Sequence, residues 1–263
     1  MQAQSVTLVI GASSYIAQAL IKLIIDRGEK VVAVTRNPLE ASQLQGQGNI
    51  VLKTCNYSEE SIAETVEEIF SFHRINNVYI CNGILHGNGV FPEKKIEDFS
   101  LDSYLTVITA NTLTPMLWLK NIVPRIEQQA STITIFSARI GSINDNKLGG
   151  WYSYRSSKAA LNMAVRTLAI ECQRRAKALK FILFHPGTTD TPLSKPFQRN
   201  VPKGKLFSAE FVAKRLFALT EGHAADASDE ETRAFITRLS EQAAQEGTDN
   251  LKYIDWDGQP ISW

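Results

Sequence analysis

Tyr154 and Lys158 stand four residues apart in the segment Tyr154-Arg155-Ser156-Ser157-Lys158. On a helix that spacing puts both side chains on one face, one turn apart. The pairing has a specific chemical use. A free phenol loses its proton near pH 10. An ammonium held beside it favours the phenolate and brings that proton toward the range where it exchanges with a carbonyl or hydroxyl oxygen. Each unit of such a shift is worth about 1.4 kcal/mol. Tyrosine at a helix start and lysine on a helix surface are both commonplace, so the pair gains meaning from the elements that position it.

Short β-branched runs alternate with longer stretches of helical period, the pattern of a parallel sheet with helices on both faces. Residues 6–10, 30–34, 50–54, 77–81, 132–136 and 180–184 read as six strands, nearly continuously apolar as in strands buried on both sides. Residues 14–26, 59–72, 103–126 and 154–175 carry apolar residues at three- and four-residue spacing and read as helices. Ser61 with Glu64 fits a capping box, and Gly28 fits a C-terminal stop. Further helices are expected at 208–219 and 230–246, before a closing segment Tyr253-Ile254-Asp255-Trp256-Asp257-Gly258. The expected fold is α/β: a doubly wound Rossmann fold with a mostly parallel sheet of six to seven strands.

The first strand runs into Gly11-Ala12-Ser13-Ser14-Tyr15-Ile16-Ala17 and then a helix. A helix N-terminus offers unpaired N–H groups and the positive end of a dipole, which suits a pyrophosphate. Gly11 permits the tight turn, and Ala17 is small enough for helix and strand to approach. Tyr15 is bulky and must point away from phosphates. Thr35-Arg36 ends the second strand, Arg36 lying 19 residues beyond Ala17. An acid there would hold the ribose hydroxyls of NAD; none is present, and Arg36 can instead pair with a 2′-phosphate. NADP is the expected cofactor, NADPH over NADH, although a single arginine is often only a solvated surface residue. Expected contacts here are Gly11, Ser13, Ser14, Tyr15, Ile16, Thr35 and Arg36.

With these residues, the sequence resembles a classical short-chain dehydrogenase/reductase over essentially its whole length. The glycine turn, Cys81-Asn82-Gly83, Asn111, Tyr154 with Lys158, and Pro186-Gly187 with Thr191 fall in family order. Ser137-Ala138-Arg139-Ile140-Gly141-Ser142, Gly149-Gly150-Trp151-Tyr152-Ser153-Tyr154 and Asp255-Trp256-Asp257-Gly258 are similar to its C-factor and sniffer-like carbonyl reductase branch. The resemblance implies one NAD(P)-binding domain over 1–263 in which Tyr154 is the acid/base. Lys158 would lower its pKa and bind the nicotinamide ribose, and Asn111 would support a water relay to Lys158. It implies that Asn82 and Gly83 border the cofactor and that Asn56, beside Tyr57, meets the adenine. Pro186, Gly187, Thr189 and Thr191 would shape the nicotinamide pocket. A homodimer or homotetramer is implied as well, the helices at Ser103 and Tyr154 pairing across a twofold axis. The stripe Leu161, Ala164, Val165, Leu168 and Ala169 is compatible with that pairing, or could face the sheet.

The chain departs from the family at the catalytic serine. Thirteen residues before Tyr154, the family's usual separation, stands Gly141, and matching the end of the fifth strand puts Ala138 there. Ser137 and Ser142 flank these positions. Ser142 is the favoured substitute, because extra loop length can bring it back over the site; both serines could instead be structural. Loss of one such donor can cost about a hundredfold in rate.

Residues 188–207 hold three prolines, four Lys and Arg residues and no periodicity. Placed after a strand's C-terminal end, they read as a substrate lid. Lys195, Arg199, Lys203 and Lys205, with Phe197 and Phe207, suggest a preference for a polar or anionic substrate.

Composition narrows the alternatives. The chain has 263 residues, 28 Lys and Arg against 27 Asp and Glu, and 44% hydrophobic residues. A near-neutral balance disfavours nucleic acid as a partner; the resemblance implies a small-molecule carbonyl or alcohol as substrate. Three unclustered cysteines argue against a disulfide framework or zinc site. The apolar start is too short for a signal peptide, and no run of 18 apolar residues occurs, so no membrane association and a cytoplasmic location are expected. No nucleophile elbow, Walker A or HExxH motif occurs. His73, His86, His185 and His223 are scattered, and Arg174, Arg175, Lys177 and Lys180 read as a solvated helix end. The competing reading is an NADP-binding regulatory protein with little turnover.

Overall fold

In a computed structural model the described residues are 6–37, 44, 48–87, 89–221, 233–237 and 250–263. Strand β1 (Val6–Ile10) leads into helix α1 (Tyr15–Asp26), followed by β2 (Lys30–Thr35), β3 (Ile50–Thr54), α2 (Glu59–Phe72) and β4 (Ile75–Ile80). Next come α3 (Leu101–Ile108), a π-helical turn (Thr109–Leu113), α4 (Thr114–Ile126), β5 (Ser131–Phe136), α5 (Tyr152–Arg175) and β6 (Leu179–His185). After β6 lie β7 (Thr188–Thr189), a 3₁₀ segment (Lys195–Asn200), β8 (Leu206–Phe207), α6 (Ala209–Glu221) and β9 (Leu251–Asp255).

Seven strands form one parallel sheet in the order β3-β2-β1-β4-β5-β6-β9. All five β1 residues are buried, as a strand covered on both faces requires. Side chains alternate between two cores. Leu8 and Ile10 join α2, α4 and α5 on one face, through Ile62, Trp118 and Leu161. Val9 joins α1 and α6 on the other, through Leu20, Ile24 and Leu216. The strand order reverses direction between β1 and β4, and the crevice beyond their C-terminal ends is where such sheets take ligands.

The structure revises several expectations. Ser58, not Ser61, caps α2: its hydroxyl accepts from Ser61 N at 3.2 Å, and Glu59 and Glu60 complement the dipole of the first turn. The helix expected over 103–126 is two helices joined by the π-helical turn. Helix α5 starts two residues before Tyr154. Gly28 does end α1, with φ +80° and its N–H on Ile25 O. The α5 stripe faces the core: Leu161, Val165 and Ala169 have no exposed surface, whereas Met163 and Ile170 are exposed. Of the helix expected at 230–246, residues 233–237 are helical and the rest lies outside the described residues, as do the polar start and His223.

Candidate active site

The turn from β1 into α1 is held by close approach. Gly11 has φ +79°, and a Cβ there would lie 2.8 Å from Asn82 N, so only glycine lets the ends of β1 and β4 abut. Ser14 caps α1, accepting from Ala17 N at 3.2 Å. The other amides of the first turn have no intrahelical acceptor. Ser13, Ser14, Tyr15 and Ile16 line a cleft of about 1130 Å³ whose walls also include Tyr154 and Lys158. Tyr15 is 54% exposed, in keeping with a ring turned out from the helix end.

A second cleft, of about 610 Å³, is lined by Arg36, Asn56 and Tyr57 and shares Asn82 and Gly83 with the first. Tyr57 has a left-handed φ of 67°. Its ring packs edge-on against Trp118, and its hydroxyl accepts from Gly11 N at 3.1 Å. Burial pushes its pKa up, so it stays protonated. The Arg36 guanidinium lies 5.5 Å from the centre of that ring. Asn56 Oδ1 accepts from Ser58 N at 2.8 Å. Thr35 lines neither cleft: it is fully buried, and its hydroxyl closes on Asn37 N and O, both at 3.2 Å.

At the junction, Asn82 Nδ2 donates to Ala110 O at 3.0 Å, while its buried Oδ1 has no partner among the described residues. An unmet buried acceptor costs about 1–3 kcal/mol. Together with the glycine turn and the open amides of α1, this acceptor fits an elongated polar ligand spanning both clefts, as a dinucleotide would.

Tyr154 sits in the first turn of α5. Burial, with a contribution from Tyr253, pushes its phenol up to about 12, and its hydroxyl makes no hydrogen bond among the described residues. The lysine does not lower it as the residues stand. Lys158 Nζ donates instead to Phe136 O at 2.8 Å, and burial lowers its pKa to about 8. Asn111 lies in the π-helical turn with its side chain fully engaged. Oδ1 accepts from Ile84 N at 2.7 Å, and Nδ2 donates to Ile84 O at 2.9 Å and Ser157 Oγ at 3.1 Å. Its side chain therefore pins α5 to the loop after β4. Gly83 brings these groups together: a Cβ on it would lie 3.1 Å from Asn111 Oδ1 and 3.5 Å from Lys158 Nζ.

Of the two serines, the structure brings Ser137 to the cleft and leaves Ser142 away from it. Ser137 lines the cleft and donates to Asn162 Oδ1 at 2.5 Å. Ser142 is buried in a turn, accepting from Asp145 N at 3.1 Å. Ser142, the substitute favoured on loop length, follows the 3₁₀ turn Arg139–Gly141 and does not line the cleft. Gly141 cannot host a side chain, since a Cβ would come within 2.8 Å of Lys158 Cβ.

Pro186 and Thr191 line the cleft; Gly187 and Thr189 do not. Gly187 packs under Phe207 and Trp256, and Thr189 is buried in the β7–β8 ladder. The lid is more ordered than its composition suggests, and its charges are turned outward. Lys195 pairs with Asp190 at 3.6 Å, and Lys205 lies 5.2 Å from the Trp256 ring centre. Phe197 packs against Trp151, His86 and Phe91. His185 is lowered to about 3, by burial and then Arg139, and is neutral.

Two supporting residues escaped the sequence reading. Glu93 is buried beneath the start of α5, where its carboxylate accepts from Ser153 N at 3.2 Å and from Ser153 Oγ. A helix opening on Trp151 without a local cap was the available signal. Tyr253 donates from its hydroxyl to Ala138 O at 2.8 Å, fixing the loop beyond Ser137.

A parallel sheet with a switch-point crevice, a glycine turn on a helix N-terminus and a Tyr–Lys pair together define a nucleotide-type α/β oxidoreductase architecture. The short chain dehydrogenase family profile matches residues 5–202, and the chain belongs to that family, which is one of oxidoreductases. It is 28% identical over 193 residues to 1-hydroxy-2-glutathionyl-2-methyl-3-butene dehydrogenase of Rhodococcus sp., covering 73% of this chain and 81% of that one. It is 37% identical over 89 residues to C-signal of Myxococcus xanthus, covering 34% and 52%. Carbonyl reductase Sniffer of D. melanogaster shares the fold, with TM-score 0.75, 18% identity and full coverage of both chains. So does a short-chain dehydrogenase/reductase of Burkholderia multivorans with bound NADP, with TM-score 0.73, 22% identity and coverage of 99% and 100%. No described helix is long and apolar enough to cross a membrane.

Proposed function

We propose that the chain is an NADPH-dependent carbonyl reductase of a single domain over 1–263, with Tyr154 as the acid/base. The observation that carries this reading is Tyr154 and Lys158 on one wall of a cleft that also includes the N-terminus of α1. NADPH, when bound, supplies the hydride. Ser13, Ser14 and the α1 amides would take its phosphates, Asn82 and Gly83 its middle, and Asn56 and Tyr57 its adenine. Arg36 would take the 2′-phosphate. Tyr154 gives its phenolic proton to the carbonyl oxygen as the alcohol forms, and takes one back in the reverse direction. Lys158, charged below about pH 8, draws the phenol toward release once it leaves Phe136 O for the ribose side of the cleft. Ser137, which lines the same cleft, would polarise the carbonyl by turning its hydroxyl from Asn162 Oδ1.

Exposed Leu101 and Leu105 on α3, with Met163 and Ile170 on α5, support a homodimer or homotetramer. The buried, unpaired Cys55, Cys81 and Cys172 support a reducing, cytoplasmic location.

Tyr154→Phe tests the chemistry: turnover should fall at least a hundredfold while calorimetry shows NADPH binding within about twofold of the parent, and equal turnover would refute it. Arg36→Ala tests the cofactor: losing a charge-assisted contact should weaken NADPH by roughly 10- to 100-fold and leave NADH little changed. The engaged Ser137 and the alanine at 138 favour a second reading, a regulatory protein that binds NADP with little turnover. NADPH binding without oxidation against any of a panel of aldehydes, ketones and quinones would select it.

A further inference from the structure

We infer that Tyr57 is a positioning residue for cofactor choice: it holds Arg36 ready for a 2′-phosphate, an inference that rests on the reading of Arg36 as that phosphate's partner. The two residues emerge side by side. Strands β2 and β3 run parallel with Thr35 opposite Thr54, and Cys55 N donates to Thr35 O at 3.0 Å. Arg36 therefore leaves β2 beside the turn that carries Asn56 and Tyr57, and all three line the second cleft. Arg36 is exposed, and among the described residues no carboxylate pairs with it. An arginine so placed samples many rotamers, and an anion that binds it must first order it.

Tyr57 limits that freedom. Its ring centre lies 5.5 Å from the guanidinium carbon. Burial keeps the phenol protonated, so the attraction is that of a cation for a neutral ring. A ring face restrains the guanidinium without consuming its N–H donors, which a carboxylate partner would take from the phosphate. The ring is itself fixed at two points. It packs edge-on against the fully buried Trp118, with centroids 5.7 Å apart, and its hydroxyl accepts from Gly11 N at 3.1 Å. The backbone at Tyr57 takes a left-handed φ of 67°, costly to any residue with a Cβ and sustained only where the surroundings over-determine it. Core on one side and glycine turn on the other supply that constraint, and the ring held between them is the one that meets Arg36.

The test is calorimetry of NADPH and NADH on the parent, Arg36→Ala, Tyr57→Phe, Tyr57→Asn and the Arg36→Ala/Tyr57→Asn double variant. A contact of Tyr57 with the adenine would serve both cofactors alike, because they share the base; an effect through Arg36 separates them. Asparagine adopts positive φ readily, so Tyr57→Asn removes the ring and keeps the turn. It should lower the ratio of NADPH to NADH affinity by roughly three- to tenfold, the worth of a cation held on a ring. Tyr57→Phe keeps the ring and should hold the ratio within about twofold of the parent, even where loss of the Gly11 contact weakens both cofactors together. In the Arg36→Ala background the asparagine should change the ratio no further. Tyr57→Leu leaves an apolar contact for Trp118, should give the same loss as asparagine, and stands where the asparagine variant folds poorly. An unchanged ratio in the ringless variants, the same loss with Arg36 absent, or a phenylalanine variant as impaired as the ringless ones overturns this inference alone. A parent that binds NADH as tightly as NADPH, or an Arg36→Ala variant that keeps the parent's ratio, overturns the reading of Arg36 and this inference with it.

Discussion

Glu93 and Ser153 are sixty residues apart in the chain and joined in the fold, where the buried carboxylate receives both the amide and the hydroxyl of the serine. Ser153 directly precedes Tyr154. The position of the phenol thus depends on a residue in the loop after β4.

Glu93→Ala should cost about 1–3 kcal/mol of stability by leaving the Ser153 N–H unmet, read as a lower midpoint in urea. Glu93→Gln keeps an acceptor and should recover most of that loss. An unchanged midpoint in the alanine variant would show that the carboxylate is incidental to α5.

The pH profile has a definite sign. Lys158 is charged below its lowered pKa of about 8 and neutral above it, whereas Tyr154, at about 12, keeps its proton throughout the working range. Reductive kcat/KM should be level at neutral pH and fall as pH rises through about 8. Lys158→Arg, whose guanidinium stays charged, should lose that limb. A limb that stays in place in the variant belongs to another group.

Ser137 and Ser142 separate in the same assay. Ser137→Ala removes a hydroxyl that lines the cleft and should lower kcat roughly tenfold or more. Ser142→Ala removes the acceptor for Asp145 N and should cost about 1 kcal/mol of stability with kcat nearly unchanged. Reversed effects would return Ser142 to the site.

The sheet was readable because each strand carries its own signal: a β-branched run buried on both faces looks the same wherever it sits. The Tyr154–Lys158 pair was readable for a related reason, since four-residue spacing on a helix is local geometry. What sequence could not give was set by distant contacts. The π-helical turn at Asn111 adds its extra residue inside an unbroken apolar period and is anchored by bonds to Ile84 and Ser157. The choice between Ser137 and Ser142 depends on the path of a 3₁₀ turn, and Glu93 acts across sixty residues. The lid's four basic residues are all exposed in the fold, which composition could not show, because composition records which residues are present and not which way they face.

Among the described residues, Tyr57 and Trp151 are the two non-glycines with positive φ. The Tyr57 hydroxyl on Gly11 N ties the helix-start turn to the wall of the second cleft. The two ends are set at a fixed span during folding, so a ligand reaching across both does not have to order one against the other. Such a cleft works as a ruler. A ligand that occupied one end alone would collect the contacts of that end and none of the benefit of the spacing.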